Sequence, residues 1–194
     1  MADRPNNPII DPTRRDFLRK SFATMGWMAA GSTLAQCASS DDAPTMSNIA
    51  NLGPLQDPDE NGLRLPVGFT SRIVARSGMP VGDSDYVWHN APDGAAIFTT
   101  ADGGYIYVSN SETAAGLGAG ASAMRFSSNG DVLDAYRVLE GTNLNCAGGP
   151  TPWGTWLSCE ENDQGRVHEC DPLGLTEATV RPAMGVFKHE AVAI

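Results

Sequence analysis

From residue 63 onward, short apolar runs alternate with turn signals along the chain. SRIVAR (71–76) is predicted as a strand between Gly68 and Ser77-Gly78. AAIFTT (95–100) follows the turn signal Pro92-Asp93-Gly94, and GYIYVSN (104–110) follows Asp102-Gly103. In the second of these, Tyr105, Tyr107 and Ser109 alternate with Ile106, Val108 and Asn110, the period of two expected of a strand. ASAMRFSS (121–128) leads into Asn129-Gly130, a strong hairpin dipeptide, with DVLDAYRVL (131–139) after it. TWLSCEE (155–161), GRVHEC (165–170) and GVFKHEAVAI (185–194) complete the set. Beyond the N-terminal segment the pattern predicts no amphipathic helix of 12 residues; 131–139 is a partial exception, assigned as strand because of the hairpin turn before it. The fold class is therefore all-β.

Short strands with frequent turns make a sandwich, a barrel or a propeller. An internal echo favours the β-propeller. YIYVSNSE, TWLSCEE and GVFKHE each run from apolar strand to a polar residue and then Glu, at Glu112, Glu160 or Glu161, and Glu190. Equivalent strands of successive blades would bring these carboxylates to one mouth. A blade takes about 40–45 residues, so residues 63–194 hold about three. The chain also stops mid-strand at Ala191–Ile194. The expectation is an incomplete propeller, the N-terminal part of a longer protein.

Composition sharpens this reading. Glycine at 21 and proline at 13 among 194 residues suit many turns. The chain is acidic, with 23 Asp plus Glu against 13 Lys plus Arg, and Arg4, Arg14, Arg15, Arg19, Lys20 and Arg64 all lie in its first third. The body is thus more acidic than the average, which argues against a nucleic-acid partner, whose phosphates need basic side chains. It is compatible with binding cations.

The basic N-terminus reads as an address. TRRDFLRK (13–20), with Arg14 and Arg15 paired, precedes a mild apolar run from Phe22 to Ala35. That run is shorter than the roughly 20 residues a membrane-spanning helix needs. A positive start, a short apolar stretch and small residues make a signal peptide over 1–37, and the paired arginines make it a twin-arginine signal. Cleavage near Cys37 to Ser40 is expected; Gln36 before Cys37 fits a lipidation site poorly. No stable membrane span is expected in the mature chain. Residues 38–62 are polar and read as a flexible leader. Export in the folded state raises the prior for a prosthetic group, and places the protein in the periplasm or outside the cell.

The candidate chemistry centres on GTWLSCEENDQGRVHECDP (154–172). Glu160 and Glu161 follow an apolar run directly. They suit either a solvated turn or a set of hard-cation ligands. If the hairpin turns at Asp163-Gln164, Cys159 and Cys170 lie diagonally on one face as two buried thiols, too far apart for an easy bridge. No Cys-x-x-Cys or His-x-x-x-His spacing supports zinc. Gly148-Gly149-Pro150 is not followed by a helix and is no nucleotide loop; Gly148, Gly149 and Gly154 are expected to permit tight backbone conformations. His89 beside Trp88 reads as structural.

NCAGGPTPWGTWLSCEEN (145–162), GRVHECDPLG (165–174) and MGVFKHEAVAI (184–194), with WHNAPDGAAIF (88–98) and DGGYIYVSNSE (102–112), resemble the PhoX family of alkaline phosphatases. The resemblance implies a β-propeller that is exported through the twin-arginine translocase and hydrolyses small phosphomonoesters. It implies a cluster of iron and calcium that carries the chemistry, so that no side chain is singled out as catalytic. By motif, Cys146 would ligate iron, and Glu112, Glu160 or Glu161, and Glu190 would supply carboxylates. His189, Asn110, Gly148 and Gly149 would support the site. Two other classes remain open on such a scaffold: a non-catalytic calcium-stabilised binding propeller, and a phytase-like or lactonase-like hydrolase.

Overall fold

Each predicted hairpin finds its partner. β1 (Pro92–Thr99) pairs antiparallel with β2 (Tyr105–Ser111), β2 with β3 (Gly120–Phe126), and β3 with β4 (Val132–Leu139). The Asn129-Gly130 turn works because Gly130 adopts φ 84°, a left-handed conformation that costs glycine little. A second sheet is built the same way from β5 (Asn145–Pro150), β6 (Trp156–Glu160), β7 (Val167–Cys170) and β8 (Thr179–Val180). In both sheets the spatial order equals the chain order. This is a computed structural model, and it describes residues 51–194. The twin-arginine signal over 1–37, with Arg14, Arg15 and Cys37, and the leader up to residue 50 lie outside the described residues.

The described residues form two four-stranded antiparallel meanders with no α-helix; a single 3-10 turn covers Pro182–Met184. No helix among them is long and apolar enough to cross a membrane. One core lies where the sheets meet: Ile106, Val108, Ala121, Ala123, Val138 and Leu139 of the first sheet pack with Trp156 and Cys170 of the second. The opposite face of the first sheet carries Met124, Phe126 and Ala135, covered by Val81 and Trp88. Side chains of both parities on β2 and β3 are therefore covered, each fully buried aliphatic or aromatic contributing about 1.5–3 kcal/mol. Leu157, Cys159 and Val167 form a third cluster on the far face of the second sheet, against Val192.

Four features differ from the sequence-based expectation. SRIVAR forms no strand; Val74 and Ala75 instead join the Trp88 cluster, and the Arg72 side chain reaches the Gly130 carbonyl, so the segment covers the sheet rather than extending it. Residues 185–194 also form no named strand. They run beside β5 and the end of β6 through separate bonds: Ala147 N to Glu190 O at 3.1 Å, Val192 N to Gly148 O at 3.2 Å and His189 N to Glu160 O at 3.1 Å. Conversely, Asn145–Pro150, which is absent from the predicted strands, is a strand. Gly148 and Gly149 do not take positive φ. They are needed because a Cβ at Gly148 would collide with the Leu157 carbonyl, and one at Gly149 with the Val192 carbonyl.

The fourth difference is one of register. Cys159 pairs with Val167 and Trp156 with Cys170, one residue away from the pairing that a turn centred on Asp163-Gln164 would set. A one-residue slip moves side chains to the other face. Cys159 and Cys170 therefore point to opposite sides of the sheet, into separate clusters, and both are free, buried thiols. Residues at the end of the leader pack locally: Gln56 N bonds Leu65 O at 2.9 Å, and the Asp59 carboxylate accepts from Asn61 N and Leu63 N, each at 2.9 Å.

Candidate metal centre

The same local device recurs at the start of each sheet. Ala91 and Leu144 are the two non-glycine residues with positive φ among the described residues, at 44° and 54°. Each sits two positions before an acid or thiol near the start of a first strand, Asp93 in β1 and Cys146 in β5. Each also offers its carbonyl to the glutamate just after the second strand: Ala91 O accepts from Glu112 N at 2.9 Å, and Leu144 O from Glu161 N at 2.8 Å. A left-handed conformation costs a residue with a Cβ roughly 1–2 kcal/mol. Here it turns the chain so that Asp93 faces Glu112 and Cys146 faces Glu161. Leu144 N then bonds Thr113 O at 2.8 Å, tying the two repeats together at one rim.

The result is two overlapping groups of ligand-type atoms. Those of Asp93, Glu112 and Cys146 all lie within 4.8 Å of one another, as do those of Cys146, Glu161 and Glu190. Cys146, at 6% exposure, belongs to both, and its thiol donates to Glu190 Oε1 at 3.3 Å. Asp93 and Glu190 are exposed, and Glu112 and Glu161 half-buried, so the cluster opens to solvent on one side. Four carboxylates at this spacing repel one another. Burial first, then the neighbouring Asp93, pushes the Glu112 carboxyl above its usual range. Burial, followed by Asp93 and Glu190, pushes the Cys146 thiol well up. A bound cation relieves this repulsion. Carboxylate oxygens suit calcium and other hard cations, and one thiolate adds a ligand that iron accepts.

Of the residues singled out from sequence, Glu112, Cys146, Glu161 and Glu190 come together. Glu160 does not join either group. At 8% exposure its carboxylate accepts from Asn143 N at 2.8 Å, Arg166 N at 3.0 Å and His168 Nε2 at 3.2 Å. Successive strand residues point to opposite faces, and that separates Glu160 from Glu161. In the sequence Asp93 stands in the turn signal Pro92-Asp93-Gly94. Its equivalence to Cys146, as second residue of the first strand in a repeat, is the signal that could have found it.

Asn110 lies fully buried between the sheets. Its Nδ2 donates to the carbonyls of Cys146 at 3.1 Å and Ala147 at 2.7 Å. Its Oδ1 accepts from Trp156 Nε1 at 2.9 Å and Ser158 Oγ at 2.8 Å. All four hydrogen-bonding positions of the amide are filled, and the backbone of Cys146 is held in place. His189 is buried with its ring 3.9 Å from that of Phe187, and its main chain ties Glu190 to β6. His89 packs on Trp88 at 4.4 Å and pairs Nδ1 with Ser122 Oγ at 2.8 Å, within the first sheet.

With this geometry in hand, the comparison with known families is decisive over part of the chain. Residues 106–172 match the family model for alkaline phosphatase PhoX. They are a PhoX-family segment. No curated protein and no solved structure matches the chain. The PhoX segment runs from β2 to just past β7 and contains Glu112, Cys146, Glu160 and Glu161, whereas Asp93 and Glu190 lie on either side of it. It relates the chain to a family of phosphatases.

Proposed function

We propose that this chain carries the metal centre of a phosphomonoester hydrolase of the PhoX type, built on a β-propeller. The observation that carries the reading is the shared thiol: Cys146 stands in both ligand groups, inside the PhoX segment. The propeller is supported by two successive four-stranded meanders and by the close approach of their first strands, where a Cβ at Gly94 of β1 would meet Ala147 of β5. Asp93 and Glu112 would hold a cation on one side of Cys146, and Glu161 and Glu190 on the other, with iron and calcium as the ions. Such ions, when bound, lower the pKa of water and clamp phosphoryl oxygens. The residues of the chain orient the centre: Asn110 holds the Cys146 backbone, and Glu190 Oε1 accepts the hydrogen bond that aims the thiol. A small phosphomonoester would approach from the side on which Asp93 and Glu190 are exposed. The paired Arg14 and Arg15 support export through the twin-arginine translocase to the periplasm or the medium.

The test is Cys146→Ser in the exported protein, read as bound iron, bound calcium and hydrolysis of a generic phosphomonoester. Loss of iron and turnover with calcium retained is expected. Unchanged iron and turnover would remove Cys146 from the centre, and calcium without iron or turnover in the unsubstituted protein would make it a binding module.

A further inference from the structure

We infer that Glu160 is a positioning residue that sets the spacing of Cys146, Glu161 and Glu190 without binding the cation; this rests on the metal-centre reading above. Three ligand-bearing segments meet at this one residue. Its Oε1 accepts from Asn143 N, in the link that leads into Cys146. Its Oε2 accepts from Arg166 N, which closes the turn following Glu161, and from His168 Nε2. Its main-chain oxygen accepts from His189 N, the residue before Glu190. Asn162 adds a parallel tie, donating from Nδ2 to Asn143 O at 3.0 Å. The carboxylate is thus occupied on both oxygens by donors from the segments that flank the ligands.

The simpler alternative is a buried carboxylate that only staples a turn. The two roles separate on what a small change does. In Glu160→Gln, one of the two oxygens becomes an NH2 group, which cannot accept from the backbone N–H it would face. One of the two segments is released while Cys146, Glu161 and Glu190 all remain. Loss of a partner that orients metal ligands typically weakens metal affinity by about 10–100-fold.

The experiment titrates the full chain with calcium alone by calorimetry, counts bound calcium by equilibrium dialysis, and records thermal unfolding without calcium. Glu160→Gln is expected to keep the number of calcium ions and lose roughly 10–100-fold in affinity. Glu161→Gln is expected to bind fewer ions. His168→Gln leaves both backbone bonds intact and should weaken affinity by a smaller factor, and it serves if Glu160→Gln does not fold. Loss of an ion in Glu160→Gln, matching Glu161→Gln, would make Glu160 a ligand and overturn the inference. A lower unfolding temperature with unchanged affinity would reduce it to a staple and also overturn it, as would unchanged affinity in a folded His168→Gln if that variant alone can be measured. If the unsubstituted chain binds no calcium, the metal-centre reading itself fails.

Discussion

Replacing Asn110 with alanine should separate the two sheets energetically. The substitution leaves the Trp156 indole N–H and the Ser158 hydroxyl without their acceptor, and the Cys146 and Ala147 carbonyls without a donor. A buried donor left unpaired costs about 1–3 kcal/mol. The two donors alone then cost about 2–6 kcal/mol, against a total of about 5–15 kcal/mol for a typical domain. We expect a loss of about 4 kcal/mol in urea unfolding followed by circular dichroism. Trp156→Phe tests the origin of that loss, because it removes one of the stranded donors. The double variant should lose less than the sum of the single ones, with a coupling of at least about 1 kcal/mol. A loss below about 1 kcal/mol for Asn110→Ala, or strict additivity, would mean that the amide does not join the sheets.

Burial first, and then the positive charge of Arg137, depresses the pKa of His89 from 6.5 to about 4. The unfolded chain therefore binds a proton that the folded one refuses. Stability should fall as pH drops from about 6.5 to 4, by up to about 3 kcal/mol, and level off below that; a thermal-unfolding profile that His89→Gln leaves unchanged over this window would contradict it. Gly148→Ala should cost at least about 2 kcal/mol, because β5 must move away from the Leu157 carbonyl; chemical denaturation that matches the unsubstituted protein would show that the strand pair has slack. Burial pushes the Cys159 thiol up to about 11 and the Cys170 thiol up to about 12. A thiol reagent at pH 8 should therefore modify neither until denaturant is added, and mass spectrometry of the folded protein should find no bridge between them.

The all-β class, most of the hairpins and most of the cluster were legible in the residues. Alternation, Asn129-Gly130 and the Glu-ended runs are local signals, and local sterics decide them. Glu112 and Glu190 could be named because each ends an apolar run, and Cys146 through the motif that resembles the PhoX family. The tertiary structure decided what depends on distant backbone. It divided Glu160 from Glu161, since only the β6 register says which side chain faces the rim. It sent Cys159 and Cys170 to opposite faces by a shift of one residue. It made a strand of Asn145–Pro150, whose glycines answer to the Leu157 and Val192 carbonyls rather than to any turn of their own. It also drew Asp93 out of an apparent turn and into the cluster. In each case composition names the groups that can do chemistry, and pairing between segments far apart in the chain chooses which of them meet.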